Sequence, residues 1–224
     1  MKNPLIKLVL CGALSCIFQS HAEKLPFEGL FGQIGVGYDM TSPTISGTTQ
    51  VGGANILGDY NIGKSYSFAE SLSIGYNYVI APKIRLGIGF EYNIMIASPR
   101  QDVTLNSSGT TNILGQYLKK NAYNFSVAPG YLLNNNGMAY AKAGFSYARG
   151  DFIGDTINFK GYTLGLGYKH LIDSQIYLFG EVNYSDYGNQ PSAPTAYLPN
   201  NTANLNVNYS NTSTMIMVGY GMRF

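Results

Sequence analysis

Six charged residues stand out for where they fall. Arg85, Glu91, Lys142, Lys169, Glu181 and Arg223 each lie in a segment whose every second residue is large and apolar, and each takes the opposite parity. In an extended chain that puts all six on the face turned away from the apolar one. A charge on an enclosed face needs a partner. Glu91 and Glu181 are each about six residues from the nearest turn and Lys142 about five, which at about 3.3 Å per residue brings the three to one height. Such a set serves either as a salt-bridged plug or as a gate that opens a narrow pore.

The other residues that could do chemistry point elsewhere. A hydrolytic site needs a His beside a Ser or Asp. After the N-terminal leader only His170 remains, and it falls at a turn, where it is expected to be solvated. No catalytic residue is therefore assigned. Cys11 and Cys16 both lie in the leader, so neither a metal site nor a disulfide framework is expected, and no cofactor is called for. The pairs Gly35/Gly37, Gly87/Gly89, Gly165/Gly167 and Gly219/Gly221 are followed by no helical pattern, so they are not nucleotide loops. They share the parity of the charges and make room there for larger side chains.

The elements that must position these residues are strands. From Thr214 to Phe224 the residues Ile216, Val218, Tyr220 and Met222 alternate with Met217, Gly219, Gly221 and Arg223. That is a strand of the length that crosses a bilayer when tilted, and such a strand must close into a barrel with others. Seven more segments repeat the pattern: Leu30–Met40, Tyr66–Ile80, Ile84–Ile96, Lys120–Leu133, Met138–Arg149, one centred on Tyr162–Lys169, and Ile176–Tyr187. In Ile84–Ile96 seven apolar residues alternate without a break. Pro129 cannot donate to a ladder, so a bulge is expected there. Ala81-Pro82, Asn134–Gly137 and Leu171–Ser174 form tight turns. The long connections, Thr41–Lys64, Ser98–Leu118 and Gly188–Asn211, carry no core pattern and are read as loops. The expected fold is all-β, an eight-stranded antiparallel up-and-down transmembrane β-barrel. Tyr76, Tyr78, Tyr131, Tyr168 and Tyr220 should form one aromatic girdle, and Tyr92, Tyr123, Tyr147, Tyr162 and Tyr184 the other.

The leader and the balance of charge agree with export. Lys2 and Lys7 precede an apolar run, Leu8–Phe18, and the small-x-small site Ser20-His21-Ala22. Residues 1–22 are read as a signal peptide and 23–224 as the barrel. Two of the 14 basic residues lie in the leader and none of the 12 acidic ones does, so the exported chain is formally neutral. No basic patch suits nucleic acid. No later run is long and apolar enough for a helical span.

Strand texture also carries a resemblance. Phe27-Glu28-Gly29 with Gly32–Tyr38, Tyr140–Gly144, Gly161–Tyr168 and Gly180–Tyr184 resemble strands of the opacity-type, OmpA/OmpX-like outer-membrane β-barrels. The terminal Phe224, with Tyr220 and Val218, resembles the signal such barrels present to the insertion machinery. The resemblance implies an outer-membrane location, contact with outer-membrane lipid and a monomer. The chain stops at the barrel, without the peptidoglycan-binding domain that would tether it to the cell wall. Function is then expected in the surface loops, as a structural or surface-interaction role toward a surface or host partner. Tyr197, Leu198 and Leu205 are its candidate anchors. The alternative is a narrow channel or carrier for small or hydrophobic solutes. Eight strands leave an interior that side chains can just fill, which favours the first.

Overall fold

The computed structural model describes residues 25–51, 54–56, 59–96, 100–107, 110–152, 155–192, 195–198 and 201–224. The leader, residues 1–22, lies outside them. The described chain holds thirteen strands. They are β1 (Gly29–Val51), β2 (Ala54–Ile56), β3 (Asp59–Ile62), β4 (Ser65–Ala81), β5 (Ile84–Ile96), β6 (Gln101–Ser107), β7 (Thr110–Leu132), β8 (Gly137–Phe152), β9 (Asp155–Leu171), β10 (Ile176–Asp186), β11 (Gln190–Ser192), β12 (Thr195–Leu198) and β13 (Asn201–Arg223). Eight of them make the wall. β1 pairs with β4, β4 with β5, β5 with β7, β7 with β8, β8 with β9, β9 with β10 and β10 with β13. β13 returns to β1, and every pairing is antiparallel. The ring is closed, so no wall strand leaves an edge in the lipid.

Alternation sets the two faces. On β10 the odd residues Tyr177, Phe179, Glu181, Asn183 and Ser185 are buried, whereas Leu178, Val182 and Tyr184 are exposed. The outward apolar residues form a belt from Tyr76 and Tyr78, whose rings meet at 4.5 Å, up to Tyr92, Tyr123 and Tyr147, linked at 4.9 and 6.0 Å. Tyrosine suits both ends, because its ring prefers the hydrocarbon margin and its hydroxyl the headgroups.

Three expectations need correction. The connections Thr41–Lys64, Ser98–Leu118 and Gly188–Asn211 are largely strand. β1, β7 and β13 have 23 residues each, about twice what a bilayer needs. β1 stays in register with β13 out to Val51↔Ala203, far above the aromatic belt. Outside the lipid a ladder needs no apolar face, and Thr, Ser and Asn suffice to continue it, so an alternation test stops at the membrane. The described parts of these connections also contribute core, since Ile45, Val103, Leu114, Val207 and Tyr209 are buried in one apolar cluster with Tyr117, Phe159 and Tyr187. Finally, Pro129 makes no bulge. The β7–β8 ladder skips from Val127↔Ala143 to Gly130↔Tyr140 without changing register, and the shift lies between Lys119 and Asn121.

The interior is layered. A lower cluster holds Phe31, Tyr140, Tyr177, Phe179, Met215 and Met217, and the outer cluster lies at the far end. Polar side chains lie between and among them.

Candidate functional site

The middle of the lumen is built around Lys142. Its ammonium lies 2.5 Å from Glu181 Oε1 and 3.2 Å from Glu91 Oε2, with all three side chains buried. Lys142 stands on β8, Glu91 on β5 and Glu181 on β10, so one cation ties three staves across the barrel. The gap it crosses is made by glycine. Along one rung Lys142, Gly165 and Asn183 are neighbours, and along another Tyr140, Gly167 and Glu181. A Cβ at Gly167 would overlap the Tyr140 ring, which lies across it to donate to Glu181 Oε2 at 2.6 Å. Asn93 and Asn124 each donate to Glu91 Oε1 at 2.8 Å, and Asn183 to Glu181 Oε1 at 2.5 Å. Each carboxylate thus accepts three hydrogen bonds. That saturation is what offsets the cost of taking three charges out of water.

A second strut crosses nearer the outside. Lys119 on β7 reaches Asp39 Oδ2 on β1 and Ser213 Oγ on β13, both at 2.9 Å, and Asp39 also takes the hydroxyls of Ser213 and, at 2.7 Å, Thr41. Sequence reasoning missed this pair. Asp39 does share the inward parity of Gln33, Gly35 and Gly37. Lys119 lies at the bulge, where the parity on which that reasoning depends is broken.

The six charges named from sequence therefore do not form one network. The structure brings Glu91, Lys142 and Glu181 together. Lys169 is buried, makes no ion pair with any described residue and sits instead among rings, 4.3 Å from the centre of Phe31, 5.0 Å from Tyr177 and 5.2 Å from Tyr140. In formal charge it offsets the triad, in which two carboxylates face one ammonium. Lys169 shares with the triad a cavity of about 40 Å³, room for one or a few waters.

Arg85 and Arg223 lie at the mouth with the tight turns, where they hold backbone. Arg85 donates from Nε to the Pro26 carbonyl at 2.9 Å and from a terminal nitrogen to the Ala81 carbonyl at 3.0 Å. Arg223 donates to the carbonyls of Leu25 at 2.6 Å and Ser174 at 2.5 Å. Arginine's planar fork suits it to several carbonyls at once. What the two clamp is Leu25–Glu28, which folds into the mouth as a stopper. Phe27 is 2% exposed, has a φ of 60° and sets its ring edge-on to Tyr177 at 6.1 Å. A positive φ is costly for phenylalanine, and the burial of the ring compensates it.

His170 lies exposed at the end of β9, its Nδ1 3.3 Å from the Tyr168 hydroxyl. The described residues contain no group of three or more His, Cys, Asp or Glu that could hold a metal. On β13, Val218 and Tyr220 are 59% and 54% exposed on the lipid face, and the Phe224 amide donates to the Leu30 carbonyl at 2.8 Å. Tyr197 and Leu198 pair through their backbones with Thr202 and Asn201, and Leu205 with Thr49. As side-chain anchors these three fall outside the described residues.

No protein-family model matches the chain, and no curated protein sequence does. Solved structures do. The outer membrane protein OprG of Pseudomonas aeruginosa superposes with a TM-score of 0.60 at 15% identity, covering 89% of this chain and 98% of that one. Neisserial surface protein A follows at 0.49 and 13% identity, covering 88% of this chain and 98% of that one. The Yersinia pestis attachment invasion locus protein Ail gives 0.39 at 14%, covering 88% and 99%. At such identities the likeness is one of fold. The closed ring of eight, the lipid-facing belt and the match to OprG together make this chain a small β-barrel of the outer-membrane type.

Proposed function

We propose that this barrel is closed to solutes and works by contact at the cell surface, through the part of its wall that stands above the lipid. One observation carries this reading: buried side chains follow one another along the lumen from Phe27 at the periplasmic mouth to Val207 at the outer end. The ion triad and the Asp39–Lys119 pair lie between them as fixed struts. The strands that rise beyond the membrane, β1, β7 and β13 above all, then serve as a rigid platform for a surface or host partner. On this reading Val218, Tyr220 and Phe224 present the last strand to the insertion machinery, and the chain works as a monomer in outer-membrane lipid.

Planar-bilayer recording of the unaltered protein tests it, alongside swelling of liposomes in small sugars. The expected outcome is no steady conductance and no swelling. Stable openings in every insertion would overturn the closed reading in favour of a narrow channel or carrier, in which the stopper and the triad must move.

A further inference from the structure

On the lipid-facing wall three cations stand on neighbouring strands. Lys120 of β7, Arg149 of β8 and Lys160 of β9 are exposed, whereas the residues beside them, Lys119, Ala148 and Phe159, are buried. Register gathers them. Asn121 pairs with Arg149, and Lys160 pairs with Tyr147, two residues along β8 from Arg149. Their charges are not equally engaged. Lys120 is held by Asp151 at 2.6 Å, with Arg149 acting on the same carboxylate at longer range. Asp186 on the adjoining β10 accepts from the Tyr162 hydroxyl at 3.4 Å. Arg149 and Lys160 make no ion pair with any described residue.

Just toward the membrane from Lys160 lies a groove of about 330 Å³, lined by Phe90, Tyr123, Phe125, Phe145 and Tyr147, with Lys160 at its rim. Phe145 is 78% exposed, more than any other large apolar residue described. Tyr123, Tyr147 and Tyr162 mark the headgroup level, and the cations begin one step outside it. A groove of rings below and two cations above, neither in an ion pair with a described residue, is the complement of an amphiphile with an acyl chain and a phosphate. The far wall offers the contrast. A groove of about 580 Å³ there is lined by Val36, Leu72, Ile94 and Val218 but carries a carboxylate, Glu70. Glu70 is exposed between Val36 and Ile94, and would repel the same headgroup.

We infer that the β7–β9 face holds a phosphate-bearing lipid of the outer leaflet, one acyl chain in the Phe145 groove and a phosphate between Arg149 and Lys160. The barrel thereby takes a fixed orientation toward its lipid neighbours. The test uses the whole barrel in phosphatidylcholine nanodiscs containing a minor fraction of bisphosphorylated lipid A, with native mass spectrometry counting the lipid A retained. The double variant Arg149→Gln/Lys160→Gln should retain roughly tenfold to thirtyfold less, as expected for two juxtamembrane cations. The charge-preserving Arg149→Lys/Lys160→Arg and the far-wall Glu70→Gln should retain what the unaltered protein does. Both altered positions are exposed, so heat-modifiable mobility should be unchanged, and it checks that each variant is folded. Equal retention by the unaltered and double-Gln proteins would overturn the inference, as would equal retention of lipid A stripped of its phosphates. Binding of inorganic phosphate alone, lost in the double variant while lipid retention stays the same, would assign the cations to free phosphate and overturn it too.

Discussion

Within the lumen, one residue's role is set by what its neighbours lack. Lys142 and Tyr140 reach Glu181 only because Gly165 and Gly167 leave the rungs between them open. Cutting Glu91 back to Ala should therefore strand part of the Lys142 charge. We expect a loss of about 3–5 kcal/mol in urea unfolding of the micelle-bound barrel, less where water from the adjoining cavity reaches the ammonium. An unfolding curve superposable on that of the unaltered protein would refute the strut. A second residue acts by pH. Asp173, in the turn before β10, accepts from the backbone amides of Gln175 and Ile176, both at 2.7 Å, and these bonds hold its carboxyl below the ordinary range. A depressed carboxyl contributes its stability above the ordinary carboxylate value and loses it as pH falls through the lowered one. Asp173→Ala should thus lower the unfolding midpoint at neutral pH, with the gap to the unaltered protein closing in acid. A gap that widens in acid would contradict this sign. Parity alone made Glu91, Lys142 and Glu181 legible in the sequence. Lys119 was hidden by the bulge beside it. Lys169 was legible by the same parity, but its surroundings were not, because no charge pattern reveals a set of rings.

At the level of elements, the membrane-crossing strands were legible and their continuations were not, for one physical reason. Lipid demands apolar residues on alternate positions, so Ile84–Ile96 has the same bounds in sequence and structure. Above the lipid only the hydrogen-bond ladder remains, and Ser, Thr and Asn in β1 and β13 give no periodic sign of it. The stopper is an element of another kind, four residues shaped by what they close. With Arg85 and Arg223 holding its carbonyls, Phe27 should be what seals the periplasmic end. A cysteine placed at Ser73, which lines the inner cavity, reports on the seal. In the unaltered mouth a water-soluble thiol reagent should label it slowly. With Phe27→Gly, which also relieves the positive φ, labelling should quicken at least tenfold while heat-modifiable mobility stays folded. Equal labelling rates would show that the seal lies elsewhere.

For the molecule as a whole, the outer half is a packed continuation of the barrel, and this changes how its surface role can be tested. Ile45, Val103, Leu114, Phe159, Val207 and Tyr209 converge from five strands into one cluster. A loop-only view predicts that everything from Gln190 to Asn208 can be exchanged for a short turn without harm. The structure predicts two separate outcomes. Replacing residues 193–204 with Asn-Gly removes β12 but leaves Val207 and Tyr209 in place, so the barrel should fold and insert as before and lose only surface contact. Extending the replacement through Asn208 also removes Val207, which is 1% exposed, and should cost about 2–4 kcal/mol, as deletion of a buried aliphatic side chain with its ladder does. Unfolding in urea measures the second cost, and adhesion of expressing cells to immobilised host-matrix protein measures the first loss. If both replacements leave stability unchanged, the outer cluster is not core. If the shorter one adheres as well as the unaltered protein, the contact surface lies on strands other than β12.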